Sequence, residues 1–463
     1  MATERSNPAS ATEDENEARN VPPDTLCRTT VRWTESSWAG MDLDLTGNDV
    51  RRWTGSWPAL EHHRRLMPSR TAILTICSNN YLPQAEVFFA SARAFHPDAD
   101  LVLGLADAKH PDEHYPEGVE VLTADSLGIP DFPSFAFAYD VMEFNTALKP
   151  FLMLRLLERG YRNVVYFDPD VELYRRLDEL LALLDGGASF VLTPHFSDPP
   201  GPGAPRTEHD IMQTGVYNLG FLAASQSLET EPILRWWARQ LRYDCVNAQH
   251  EGLFVDQKYM DLLPGLAAQG HVLRHTGYNV AYWNLPRRVL SATPGGIWQV
   301  DGRPLGFFHF SGFVPERPRE LSKYTPEPRA TGALAALLQA YAARRTAAQA
   351  SAAASRPYAY GRFRSGVPVP DMVRRMFRKK HLTWSGDPFA HYDRYCRLPH
   401  PTACTGDSGE IVTNLMQHHH AAEPALHLAF HLDRPVHVTA YTRRFAEAAA
   451  TAGVEDSLWR AKP

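Results

Sequence analysis

Apolar runs and amphipathic segments alternate along residues 71–330, and this alternation predicts a sheet with helices on its faces. Short apolar runs, which we expect to form buried strands, lie at 72–77, 101–105, 119–122, 164–167, 189–192 and 216–224. Segments with helical periodicity lie between them, at 83–95, 145–158, 176–184 and 231–242. Strands that alternate with helices in this way favour an α/β fold whose sheet is mainly parallel.

The segments on either side of this pattern differ from it. Residues 1–20 are acidic and polar and lack the basic start and apolar centre of a signal peptide. We interpret 1–66 as a disordered acidic tail and lead-in. The remaining divisions are expected to be an α/β domain, an Ala-rich helix and linker, and a mainly helical accessory region, at 67–330, 331–358 and 359–463.

The composition limits the partners that we expect for this chain. Its 463 residues are 44% hydrophobic and carry a formal net charge of −6, which gives no overall basic field for nucleic acid. No apolar stretch is long enough to cross a bilayer. The five cysteines are scattered, without the spacing of a zinc site or a disulfide framework. We therefore expect a cytoplasmic protein with no transmembrane segment and no nucleic-acid partner.

Two aspartates follow the apolar run at 164–167 directly. Asp168 and Asp170 flank Pro169, and a buried parallel strand delivers such residues to the carboxyl edge of the sheet, where ligands bind. Carboxylate oxygens suit Mg²⁺ or Mn²⁺, and either ion suits a diphosphate. An Asp-Pro turn that only ends the strand explains the same residues, so the pair alone leaves both interpretations open.

Three more motifs place polar residues within strand-like runs or at a helix start. Asn218 and Gly220 lie within a strand-like run, where a glycine marks either the close approach of a ligand or a bulge. Asp256 and Gln257 precede an apolar helical turn, so they are either substrate-facing residues or an N-cap. His309 lies among four aromatic residues, either as a core histidine or as a metal ligand.

Taken in order, these four motifs resemble those of the GT-A glycosyltransferases, and most closely the retaining family 8. The matching segments are Asp168-Pro169-Asp170, Asn218-Leu219-Gly220, Asp256-Gln257 and His309-Phe310-Ser311-Gly312. The resemblance covers about residues 70–325, and the region after it is similar to a tail appended to bacterial members. It implies a GT-A fold, which is a Rossmann-like mixed sheet flanked by helices. It also implies sugar transfer from a nucleoside-diphosphate sugar, UDP- or GDP-linked, to a hydroxyl acceptor with retention.

The resemblance assigns roles to matching residues. The residues expected to hold Mn²⁺ or Mg²⁺ against the donor diphosphate are Asp168, Asp170 and His309. The residues expected to bind the donor are Asn79, Asn80, Tyr81, Asp107, Lys149, Asp168, Asn218, Gly220 and Lys323. Asp256 and Gln257 are the expected catalytic residues. Because an amide is a poor nucleophile, we expect Gln257 to stabilise an oxocarbenium-like state rather than to form a covalent intermediate.

The donor-side residues come from several segments. The polar loop after the first strand offers Tyr81 to stack on the base and two asparagines to hydrogen-bond it, and Asp107 follows the second strand. Lys149 resembles a basic residue that the family places before the strand that leads to the metal-binding aspartates, here 164–167. A solvated lysine at a helix start explains Lys149 equally well. The family's Lys-Pro-Trp ending is missing here, so Arg317, Arg319 or Lys323 is expected to replace its lysine.

Two regions bear on the acceptor. An aromatic segment at 277–284 contains two asparagines and suits a sugar or a ring-bearing acceptor, or else it is ordinary core. From the Ala-, Arg- and Pro-rich composition we expect the acceptor to be a specialised metabolite or a cell-surface glycan. The basic helix at 372–380 is a solvated face or a contact with a phosphate-bearing acceptor at a membrane surface. Three adjacent histidines at 418–420 cannot all face one ion from a regular element.

Two other functions remain open. A nucleotidyltransferase or sugar-nucleotide pyrophosphorylase uses a similar sheet, but it needs a Gly-rich, basic loop to hold a triphosphate, and the loop after Cys77 is neither. A non-catalytic sugar-binding protein could keep the same fold. The presence of Asp168, Asp170 and His309 together argues against that second alternative.

Overall fold

The computed structural model describes residues 70–463 except 203, 205, 326–328, 352–355, 380–383 and 462–463. The tail and lead-in predicted for 1–66 therefore lie outside the described residues. The described residues belong to one compact unit. The domain boundaries predicted at 330 and 358 remain predictions.

The strands of the described chain are short and mostly buried. They are β1 (Thr71–Cys77), β2 (Asp100–Leu105), β3 (Glu120–Thr123), β4 (Asn163–Phe167), β5 (Val171–Leu173), β6 (Phe190–Pro194), β7 (Tyr217–Ser225), β8 (Asn247–Ala248), β9 (Leu253–Phe254), β10 (Gly270–Val272), β11 (Leu290–Ala292), β12 (Trp298–Val300), β13 (Arg303–Pro304) and β14 (Phe307–His309). All six predicted strands are present, with small shifts at their ends.

The helices lie between the strands and then make up most of the C-terminal region. They are α1 (Leu82–Phe95), α2 (Phe132–Ala138), α3 (Val141–Ala147), α4 (Lys149–Glu158), α5 (Asp178–Asp185), α6 (Glu208–Thr214), α7 (Thr230–Asp244), α8 (Leu263–Leu266), α9 (Gly332–Ser351), α10 (Asp371–Arg378), α11 (Pro388–Cys396), α12 (Asn414–Ala422), α13 (Pro424–Ala429) and α14 (Pro435–Thr451). The single helix predicted at 145–158 is wrong, because α3 and α4 meet at Leu148 and Pro150 lies in the first turn of α4.

Seven strands form a mixed sheet in the order β10-β6-β7-β4-β1-β2-β3. Strand β7 runs antiparallel to its neighbours β4 and β6, and the other pairs are parallel. A mixed sheet flanked by helices, with a mainly helical C-terminal region, confirms the predicted fold class. The antiparallel β7 explains why the sheet is less uniformly parallel than the alternation of strands and helices indicates.

Both faces of the sheet are covered, which explains why its central strands are apolar throughout. Along β4, Val164 and Tyr166 pack on one face, and Val165 and Phe167 pack on the other. The first face is covered by α2, α3, α4, α7 and the C-terminal helices, and the second by α1 and α5. This arrangement leaves the carboxyl edge of β1 and β4 open for a site.

The basic helix predicted at 372–380 is α10, and its role as a solvated basic face is wrong for two of its arginines. Arg374 is buried and donates to the carbonyls of Phe137 (2.8 Å) and Tyr360 (2.7 Å). Arg378 donates to the carbonyl of Ala138 (2.9 Å). These arginines satisfy carbonyls at the C-terminal end of α2, which have no partner within that helix.

In the part of the chain that the structure describes, no helix has the length and apolar character that crossing a membrane requires. Four of the five cysteines lie in this part, and all four are free thiols, namely Cys77, Cys245, Cys396 and Cys404.

Candidate functional site

Pairing between β5 and β14 brings two distant segments together at the carboxyl edge of β4. His309 pairs with Val171 in this antiparallel ribbon, and the N–H of Phe310 donates to the carbonyl of Asp170 (2.8 Å). His309 Nε2 consequently lies 3.1 Å from Asp170 Oδ1 and 3.7 Å from Asp168 Oδ2. Within the described ranges, these three side chains form the one group of His, Cys, Asp or Glu that could hold a metal ion, with ligand atoms all within 4.8 Å of one another.

The spacing of these atoms fits a divalent cation. Bonds of about 2.1 Å in octahedral geometry put neighbouring ligand atoms roughly 3 Å apart. Two carboxylate oxygens and one imidazole nitrogen are a donor set for a divalent ion. Burial raises the pKa of the Asp170 carboxyl, but the charge and hydrogen bond of His309, together with Arg345, outweigh burial, and the net pKa is lowered. Asp168 Oδ1 accepts from Tyr166 OH (2.6 Å), which leaves Oδ2 facing His309.

Lys149 lies beneath this group and is buried. Its Nζ lies 2.8 Å from Asp256 Oδ2 and 3.6 Å from Asp168 Oδ1, and it donates to the carbonyl of Leu219 (2.8 Å). The interpretation of Lys149 as a solvated lysine at a helix start is therefore wrong. Burial disfavours the charge on Lys149, but the two carboxylates outweigh burial and raise its pKa.

Asp256 and Gln257 are both buried, and neither acts as a side-chain cap. The helical turn after them begins at Lys258, and no side chain caps it, so the N-cap interpretation is wrong. Burial raises the pKa of the Asp256 carboxyl, and Lys149 limits the rise. Gln257 Oε1 accepts from the N–H of Leu219 (2.9 Å), and its Nε2 donates to the carbonyl of Thr214 (2.9 Å). Gln257 thus ties β7 to the end of α6.

A cavity of about 430 Å³ brings most of the predicted site residues together. The predicted residues that line it are Lys149, Asp168, Asn218, Gly220, Asp256, Gln257 and His309. A second cavity of about 260 Å³ shares Asp168 with the first and is also lined by Asn80, Tyr81 and Asp170. The two cavities therefore meet at the candidate metal group.

Three predicted donor residues lie elsewhere. Asn79 donates to the carbonyl of Ala108 (2.9 Å), and Asp107 accepts from the backbone N–H groups of Asn79 and Ala359. Both residues fasten loops to one another and line neither cavity. Lys323 is exposed, with its Nζ 5.1 Å from the ring centre of Tyr324, a residue that lines the larger cavity.

The predicted aromatic wall is present only in part. Tyr282 and Trp283 line the larger cavity, but the two asparagines of this segment do not. Asn284 Oδ1 accepts from the N–H of Ala281 (3.0 Å) and closes a turn, and Asn279 Nδ2 donates to Asn218 Oδ1 (3.0 Å). The two asparagines therefore fix the conformation of the 277–284 segment by hydrogen bonds within the protein and do not line the cavity.

Sequence reasoning missed three polar residues at the site. His195 follows β6 and lines the larger cavity beside Arg206. A polar residue directly after a buried strand is the same signal that identified Asp168, so His195 could have been found. Arg345 on α9 adds positive charge near Asp170 and helps to lower the pKa of that carboxyl. Its Ala-rich surroundings in the sequence contain no such signal.

No protein-family model matches this chain. Two curated proteins of Bacillus subtilis (strain 168) are similar to it: uncharacterized protein YfnF, 29% identical over 185 residues, and uncharacterized protein YfnD, 26% identical over 183 residues. The matches cover 38% and 39% of this chain and 58% and 57% of those proteins. The chain thus spans a little over half the length of the curated relatives it matches.

Three solved structures that are similar to this chain are glycosyltransferases. They are galactosyltransferase LgtC in complex with donor and acceptor sugar analogues, GlyE of Streptococcus pneumoniae TIGR4, and mouse xyloside xylosyltransferase 1, at identities of 16%, 14% and 14%. The TM-scores are 0.35, 0.35 and 0.32. The matches cover 62%, 64% and 52% of this chain and 97%, 67% and 97% of the other chains. At these scores, the fold of this chain is established by its own strand order and pairing.

Proposed function

We propose that this chain is a metal-dependent glycosyltransferase that moves a sugar from a UDP- or GDP-linked donor to a hydroxyl acceptor with retention. The observation that carries the proposal is the group of Asp168, Asp170 and His309 at the carboxyl edge of a mixed sheet, where two cavities meet. A nucleotide in one cavity and a sugar in the other would meet at these ligands. The proposed acceptor is a specialised metabolite or a cell-surface glycan.

The residues around the two cavities suit the parts of such a donor. Tyr81 is 42% exposed beside the smaller cavity, so its ring is available to stack on a nucleotide base. A divalent ion held by Asp168, Asp170 and His309 supplies, when bound, a Lewis acid that neutralises charge on the leaving nucleoside diphosphate. Lys149 and Arg345 add fixed positive charge close to the same carboxylates.

The two proposed catalytic residues differ in how they can act. Asp256 lines the larger cavity, where its carboxylate can accept hydrogen bonds from sugar hydroxyls. It can also stabilise the positive charge that develops on the ring of the transferred sugar. Gln257 has both ends of its amide hydrogen-bonded to the backbone. These bonds support a role for Gln257 in holding the cavity wall and argue against a covalent nucleophile, and charge stabilisation by its carbonyl dipole is the catalytic part of the proposal.

The test is a panel of UDP-, GDP- and dTDP-sugars, with binding and slow hydrolysis measured with and without Mn²⁺. We expect one donor to bind in a metal-dependent way and Asp170→Ala to lose that binding. The matched control is Asp185→Ala, which removes an exposed carboxylate at the end of α5 and should behave as wild type. Pyrophosphate release from a nucleoside triphosphate and a sugar 1-phosphate would instead favour a nucleotidyltransferase. Folded protein that binds no donor would favour the non-catalytic alternative.

A further inference from the structure

The amide of Asn218 is buried and fully engaged by the protein. Its Oδ1 faces the backbone N–H of Gly220 (3.2 Å), a group that can only donate, and this contact fixes which end of the amide is the oxygen. Asn279 Nδ2 donates to the same oxygen (3.0 Å) and to Thr193 Oγ1 (2.9 Å). Asn218 Nδ2 therefore points the other way, towards His195 Nε2 (3.2 Å).

This fixed amide determines where the proton of His309 lies. His309 Nδ1 lies 3.2 Å from Asn218 Oδ1, which carries no hydrogen and can only accept. Nδ1 must therefore carry a proton. Nε2 faces Asp170 Oδ1 at 3.1 Å, so in the absence of a metal it donates a proton of its own to that carboxylate, and a metal ion bound there would take the place of this proton. The neutral ring that then remains, protonated on Nδ1 and with its Nε2 lone pair between two carboxylates, is the form that binds a metal.

The far end of the amide is fixed in the same way. His195 Nε2 accepts from Asn218 Nδ2, so His195 carries its proton on Nδ1, which lies 3.3 Å from the carbonyl of Val216. Hydrogen bonds consequently run in one direction, from His309 through Asn218, and from Asn218 through His195 to the backbone. Burial lowers the pKa of His195 to about 4, so this histidine stays neutral and keeps its acceptor.

The ring of His309 is also confined sterically. Gly220 leaves space for it, since a Cβ at this position would collide with the His309 ring. On another side the ring of Trp283 stands edge-on, with the two ring centres 5.2 Å apart. These two contacts limit rotation of the imidazole. The hydrogen bond to Asn218 Oδ1 keeps the proton of the neutral ring on Nδ1.

We propose that Asn218 is a positioning residue for the metal, held by Asn279 and His195, that fixes His309 as the Nδ1–H tautomer with Nε2 directed at Asp168 and Asp170. The inference rests on the proposed metal-dependent function, and it gives Asn218 a role that differs from direct contact with the sugar. Hydrogen-bond partners of metal-binding histidines raise the basicity of the ligand and typically change metal affinity about 10–100-fold when they are removed.

The test is the affinity of the nucleotide-free protein for Mn²⁺, measured by electron paramagnetic resonance of the free ion. Asn218→Leu removes the acceptor and should weaken Mn²⁺ binding about 10–100-fold. Asn218→Asp keeps an oxygen for His309 Nδ1–H and should bind Mn²⁺ at least as tightly as wild type. Asn279→Ala, one step away and fully buried, should weaken binding less than Asn218→Leu. A sugar-binding role for Asn218 predicts no change in any of these affinities.

The control is Asn163→Leu, because Asn163 is a buried asparagine at the opposite end of β4 whose amide donates to Thr71 Oγ1 (3.3 Å). It should leave Mn²⁺ affinity unchanged. Folded Asn218→Leu with wild-type affinity for Mn²⁺ would overturn the inference and leave the proposed function standing. If Asp170→Ala and wild type bind Mn²⁺ equally poorly, the proposed metal site fails.

A measurement without metal keeps the inference testable even in that case. Nitrogen-15 NMR of histidine-labelled protein, with the His309 signals assigned from a His309→Gln variant, reports which ring nitrogen carries the proton. We expect a protonated Nδ1 in wild type and in Asn218→Asp. An unprotonated Nδ1 in the wild-type protein would refute the assignment of the tautomer.

Discussion

Lys149 connects the two halves of the site through one buried charge. Its ammonium group neutralises the charge of Asp256 at 2.8 Å and lies 3.6 Å from Asp168. Lys149 and Asp256 are both buried, so each depends on the other for compensation of its charge. The sequence places Lys149 before β4 but cannot show its burial, because its partners are Asp168 after β4, the Leu219 carbonyl in β7 and Asp256 before Lys258. The aspartates, by contrast, could be predicted, since their signal is local.

Removing this cation alone leaves Asp256 buried and unpaired. We expect Lys149→Met to lower the free energy of unfolding by about 3–5 kcal/mol. The double variant Lys149→Met/Asp256→Leu should recover most of this loss, because replacing both partners of a buried pair by apolar residues is often neutral. Urea denaturation followed by circular dichroism measures both variants. Equal destabilisation of the single and double variants would contradict this account.

His96 is a second buried residue whose charge state matters. Its Nε2 accepts from the N–H of Leu177 (3.3 Å), which requires a neutral ring. Burial, with a contribution from Arg176, lowers the pKa of His96 to about 4, and Asp98 and Asp178 oppose the shift. The unfolded chain, with a histidine pKa of about 6.5, binds more protons than the folded chain between pH 6.5 and 4.

His96 should therefore destabilise the folded protein as the pH falls through this window. We expect His96→Gln to lose less stability than wild type between about pH 7 and about pH 4.5. The measurement is the change in the free energy of unfolding between the two pH values, for both proteins. Parallel losses in wild type and variant would show that His96 does not contribute.

Among the elements, α2 depends on a helix far away in the sequence. Its terminal carbonyls at Phe137 and Ala138 accept from Arg374 and Arg378 of α10. The spacing of these arginines, four residues apart, indicates that they share a face of α10. Which face meets the protein cannot be told from that spacing, because it depends on where α2 lies in the folded chain.

Removal of the Arg374 guanidinium should leave the carbonyls of Phe137 and Tyr360 without this hydrogen-bond donor. We expect Arg374→Met to lower the free energy of unfolding by about 2–4 kcal/mol, since buried acceptors lose a charged donor. Arg375→Met, at the exposed neighbouring position, is the control and should change stability by less than about 0.5 kcal/mol. Thermal and urea unfolding of the two variants give the comparison, and similar effects from both would rule out a specific role for Arg374.

At the scale of the whole molecule, the C-terminal region and the sheet share one hydrophobic core. The ring of Phe137 in α2 lies 4.9 to 5.6 Å, centre to centre, from four rings of this region, namely Phe363, Phe377, Phe389 and Tyr392. The change in sequence pattern near 358 predicts a boundary, but a pattern does not show what packs against what. For the same reason, the order of strands in the sheet and the pairing of β5 with β14 could not be predicted from the sequence.

Deleting 359–463 should uncover Phe137 and the aromatic residues around it. Because each buried aromatic side chain covers about 150–250 Å², we expect residues 1–358 to lose cooperative folding instead of forming a smaller stable domain. Limited proteolysis and a thermal melt, compared with the full chain, measure this. A truncated protein that melts at the same temperature would show that the region is a separate attachment.

The candidate metal ligands come from segments far apart in the chain, and β5 pairs with β14 to join them. An ion that needs both segments has no comparable site on an unfolded chain, so its binding acts as a reversible cross-link that closes a long loop. Such an ion favours the folded state in proportion to its concentration. In a cell, the supply of that ion would then set how much of this protein survives degradation, in addition to how fast each molecule works.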